Sequence, residues 1–82
     1  MAEYNFKHEA YQGSVNRLTG LIATYPNAEV TPKAHILLAH SYLKLNDPIS
    51  AKKTLNQLIE KYPDSSYAGD ARSWIAANPN VP

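Results

Sequence analysis

Residues 18–26, Leu18-Thr19-Gly20-Leu21-Ile22-Ala23-Thr24-Tyr25-Pro26, return as residues 55–63, Leu55-Asn56-Gln57-Leu58-Ile59-Glu60-Lys61-Tyr62-Pro63. A slide of 37 residues superposes the two leucines, the isoleucine and the Tyr-Pro end, and carries Ala34 onto Ala71 as well. The matched positions are apolar or punctuating, as a repeated structural unit requires, and their order separates them from chance compositional matches. Inside the unit the period is helical. Tyr11, Val15, Leu18, Leu21, Ile22 and Tyr25 recur at three- and four-residue spacing and form one stripe. Proline ends both copies, because it has no amide donor and its ring crowds the preceding turn.

Outward from these segments the chain predicts helices over about 9–25, 31–45, 48–62 and 65–77. Residues 1–8 can extend the first helix in the same register from Tyr4, and 78–82 form a loose tail. Gly13 and Gly20 weaken the first helix by about 1 kcal/mol each against alanine, and a kink is expected near Gly13. Thr31-Pro32 reads as cap and first-turn proline of the second helix, whose buried side carries Ala34, Leu37, Leu38, Ser41, Tyr42 and Leu45. Asp47 is the expected cap of the third, followed by Pro48. The third helix buries Ala51, Leu55, Leu58, Ile59 and Tyr62, and the fourth Tyr67, Ala71, Trp74 and Ile75, while no segment alternates as a strand does. The fold class is all-α, a row of antiparallel helical hairpins.

Composition narrows the function. Eighty-two residues make at most one domain with a small core. An apolar share of 44% and a charged share of 18% are those of an ordinary folded protein. The apolar run Ile36 to Ala39 is far short of the roughly 20 residues a bilayer span needs, so no membrane insertion is expected. A net charge of +1 without a basic cluster gives no footprint for nucleic acid, and a recognition helix that offered only Arg72 would read no groove. With no cysteine, thiolate metal sites are excluded. His35 and His40 lie five residues apart, a rotation of about 500° that points their rings about 140° away from each other, and nothing places His8 near them; no metal and no other cofactor is expected. No glycine-flanked nucleophile, phosphate-cradling loop or paired carboxylate in an apolar setting stands out, so the chain does not read as an enzyme.

The stretch from Pro32 to Pro63 resembles one complete unit of the tetratricopeptide repeat (TPR) family. Leu38 and Ala39 match its apolar-small pair, Tyr42 its aromatic, Ala51 its small residue on the second helix, Leu55 its large apolar and Pro63 its terminator. His35, Asn46 and Leu58 depart from the family's tryptophan, glycine and alanine. The resemblance implies a solenoid that reads half, whole and half repeat, and a module that binds a protein or peptide. It places Lys33, Ile36, His40, Leu43 and Lys44 on a concave groove, continued by Asp70, Ser73 and Ala77. Ile36 and Leu43, off the stripe of Leu38 and Tyr42, are expected to stand exposed there. Trp74 reads first as core filling between the third and fourth helices and second, if exposed, as an interface hot spot, and Tyr25 and Tyr62 read as staples across the turns. The Tyr-Pro ends look most like the TPR modules of bacterial envelope proteins, such as the Tol-Pal accessory factor and the lipoprotein of the outer-membrane barrel assembly machinery, which implies the periplasm or cell envelope, with the cytoplasm as the alternative. Half units leave uncovered helices, so a homodimer by end-to-end stacking or helix exchange is the competing expectation.

Overall fold

A computed structural model of the chain describes the backbone of residues 2–82 and the side chains of residues 9–82; His8 lies outside the described side chains. Four helices follow one another: α1 (Ala2–Thr24), α2 (Thr31–Lys44), α3 (Pro48–Lys61) and α4 (Ser66–Ala77). α1 passes through Gly13 and Gly20 without interruption and opens at Ala2, ahead of the stripe that predicts it.

The internal repeat is visible in the backbone bonds. Tyr25 N–H donates to Leu21 O and Tyr62 N–H to Leu58 O, each at 2.8 Å, and each is the last amide before a Tyr-Pro end. Ala28 then bonds back to Tyr25, and Thr31 to Ala28; Ser65 to Tyr62 and Ala68 to Ser65 are the same bonds 37 residues on. Where the units differ, a hydroxyl explains it. Ser65 Oγ accepts from Tyr67 N at 3.1 Å and opens α4 at Ser66, while its counterpart Ala28 has nothing to offer and α2 opens only at Thr31.

Thr31 itself is not the cap its sequence suggests. The cap position falls on Val30, whose side chain accepts nothing, and Thr31 is fully buried with its hydroxyl donating to Tyr25 O. It ties the start of α2 to the end of α1. Asp47 does cap α3, accepting from Ser50 N at 3.2 Å and Ser50 Oγ at 2.7 Å. Between α2 and α3, Asn46 takes a left-handed φ of 59°. Asn46 N–H bonds Leu43 O and Asp47 N–H bonds Tyr42 O, the paired bonds of a Schellman end. Asparagine at the family's glycine position thus performs glycine's conformational task.

α2 packs against α1 on one side and α3 on the other, and touches α4 as well; among the described residues α1 and α3 do not meet. The core cluster joins Ala39, Ala51, Leu55, Leu58 and Ala71, three helices meeting on small residues with two leucines filling the space between. His35, at the family's tryptophan position, is buried: Nδ1 sits 2.9 Å from Thr31 O, an acceptor only, so Nδ1 carries the hydrogen. The Tyr62 ring meets His35 edge-on at 5.8 Å, and its hydroxyl donates to Pro26 O. Tyr62 is therefore the staple expected of it, whereas the Tyr25 side chain is 58% exposed and only its backbone carbonyl, accepting from Thr31, ties the turn. In the tail, Lys52 Nζ donates to Val81 O at 2.7 Å. Every buried polar side-chain atom among the described residues has a partner.

Candidate functional site

Because α2 and α4 lie side by side over α3, their near faces enclose a concavity of about 170 Å³. α2 supplies Ile36, Ala39, His40 and Leu43 to its lining, α4 Asp70 and Trp74, and Leu55 of α3 forms part of the floor. The spacing does this: residues 36, 39, 40 and 43 fall on one helical face, as do 70 and 74. Four predicted groove residues, Ile36, His40, Leu43 and Asp70, come together here. Lys33, Lys44, Ser73 and Ala77 are exposed and do not line it.

Ile36 and Leu43 do not stand out in solvent as predicted. They are half-buried, packed on the core cluster, and Leu37, assigned to the buried stripe, is 45% exposed. The reason is that α2 has neighbours on more than one side, so its apolar surface is wider than a single stripe and is not centred on Leu37. Trp74, which the sequence offers first as core filling and second as an interface hot spot, is the lining residue left out of the predicted groove. Half-buried against the core, it also presents surface to the concavity, and both roles follow from its place at the α2–α4 seam. Its signal in the sequence was the spacing of four from Asp70.

The concavity offers an apolar floor with one carboxylate and one imidazole at its edge, a surface for side chains rather than for bond chemistry. Among the described residues no three histidines, aspartates or glutamates gather as a metal site. Among the described residues no helix is long and apolar enough to cross a membrane.

Antiparallel helix pairs translated along the chain, with like faces merging on one side, define a helical-repeat protein. The tetratricopeptide-repeat model matches residues 6–75, and the chain belongs to that family. Such repeats mediate protein–protein interactions, and the family is not an enzymatic one. Searches of curated proteins and of solved structures returned no match to the chain.

Proposed function

We propose that this protein is a non-enzymatic scaffold that captures a polypeptide partner in the concavity between α2 and α4. One observation carries the reading: Ile36, Leu43, Leu55 and Trp74 leave apolar surface facing a shared hollow, bordered by His40 and Asp70. Apolar anchors with few polar groups are what a side chain of a bound peptide requires, the first to supply affinity and the second to fix its register. Lys33, Lys44, Ser73 and Ala77 extend this surface as its solvated rim. The Tyr-Pro ends support placing the module with envelope TPR proteins, and so in the periplasm.

The test uses the exposed rim, where substitution spares the core. A partner recovered by affinity capture and mass spectrometry is titrated against His40→Glu combined with Asp70→Arg, and against Lys53→Glu on α3 as a control. Binding is lost in the first and kept in the second, with circular dichroism and melting unchanged in both. Equal affinity for the wild type and the His40/Asp70 variant refutes the groove.

A further inference from the structure

The translation by 37 residues that relates the two units leaves two faces over. In the second unit α3 turns Ala51, Leu55 and Leu58 into the core and Tyr62 onto His35. Their counterparts on α1 are Ser14, Leu18, Leu21 and Tyr25, of which the first three are only half-buried and the last is exposed. Ser14 and Leu18 border a second hollow, about 240 Å³, with Arg17, Leu37, His40 and Ser41. The complementary face lies at the far end of the stack. His35 and Ala39 of α2 are both buried, the one against Tyr62 and the other in the cluster it shares with α3; their counterparts on α4, Arg72 and Ala76, are both exposed. A single chain therefore holds both halves of a hairpin interface that it already forms once within itself.

We propose that a second copy of this chain covers the α1 face, docking its α4 there so that α4 of one copy and α1 of the next complete a hairpin in trans. The internal hairpin supplies the register. Ala76 goes against Ser14 as Ala39 and Ala51 share the core, small residues on both sides allowing close helix approach. Arg72 takes the place of His35 over the Tyr25 ring, a cation on an aromatic face. Tyr25 gains as acceptor Pro63 O of the second copy, which Arg72 of that copy already reaches at 3.3 Å, as Tyr62 has Pro26 O. The two faces are different surfaces, so the contact is heterologous and repeats head to tail instead of closing as a pair. The docked face and the α2–α4 concavity meet at His40, which borders both hollows.

Ser14→Arg blocks the α1 face and Ala76→Arg the α4 face. In sedimentation velocity over a concentration series from micromolar to near-millimolar, the wild type grows past the dimer, and each variant alone stays monomeric. An equimolar mixture of the two restores one intact interface per pair and stops at the heterodimer. Circular dichroism verifies that both variants are folded; if Ser14→Arg lowers the melt, Tyr25→Asp blocks the same face from an exposed position. A wild type that stays monomeric throughout overturns the proposal, and so does a mixture that stays monomeric while the wild type assembles.

Discussion

Tyr62 reaches back from the end of α3 to meet His35 edge-on at 5.8 Å, joining the second Tyr-Pro turn to the first through its hydrogen bond to Pro26 O. Its counterpart Tyr25 is 58% exposed. Tyr62→Ala is expected to cost about 2–3 kcal/mol, since it removes the ring from His35 and the hydroxyl from the turn. Tyr62→Phe keeps the ring and should cost no more than about 1 kcal/mol. Tyr25→Ala should change stability by less than about 0.5 kcal/mol. Urea unfolding of the three variants at monomeric concentration checks the order, and equal losses at positions 25 and 62 would contradict it.

Leu58 and Leu21 make the same comparison inside the helices. Leu58 is fully buried in the core cluster, whereas Leu21 is only partly covered. Truncation to alanine at 58 should cost about 3–5 kcal/mol, a transfer loss plus a cavity, and at 21 about half of that or less. Chemical denaturation of Leu58→Ala and Leu21→Ala measures both.

Asn46 holds a φ of 59° at the end of α2. Asn46→Gly should leave the chain as stable or raise it by up to about 1 kcal/mol, and Asn46→Ala should lower it by about 1 kcal/mol, because a Cβ without a helping side-chain amide is strained there. Melting temperatures of the pair give the sign directly.

Gly20 lies mid-helix in α1 with open space where a Cβ would stand. Gly20→Ala should stabilise by about 1 kcal/mol, a rise of roughly 4–8 °C in Tm for a chain of this size. No rise would mean that α1 is not helical at this point.

The helices and their ends could be read from the sequence because proline, Asp47 and the doubled Leu-x-x-Leu-Ile-x-x-Tyr-Pro segment act locally. The side chains that depend on neighbours could not. Thr31 looks like a cap, yet its hydroxyl is claimed by Tyr25 O across the turn. Ile36 and Leu37 are both apolar and adjacent, and only the placement of α4 decides which is half-covered and lines the concavity. For Trp74 the sequence leaves core filling and interface exposure as rivals, because a stripe cannot show that a large ring sits on a seam with one edge inward and one outward. For the same reason Tyr25 and Tyr62, identical in local sequence, diverge: each depends on what the adjoining unit presents to it.

Among the described residues α1 and α3 do not touch, so the order along the chain is nearly the order in space. Such an array has nearest-neighbour cooperativity, and loss of structure should advance inward from its flanks. Backbone amides of α1 and α4, each packed on fewer helices than α2, then exchange with solvent through smaller openings than those of the central pair, giving a protection profile highest at the Leu38–Leu58 middle and falling toward both flanks.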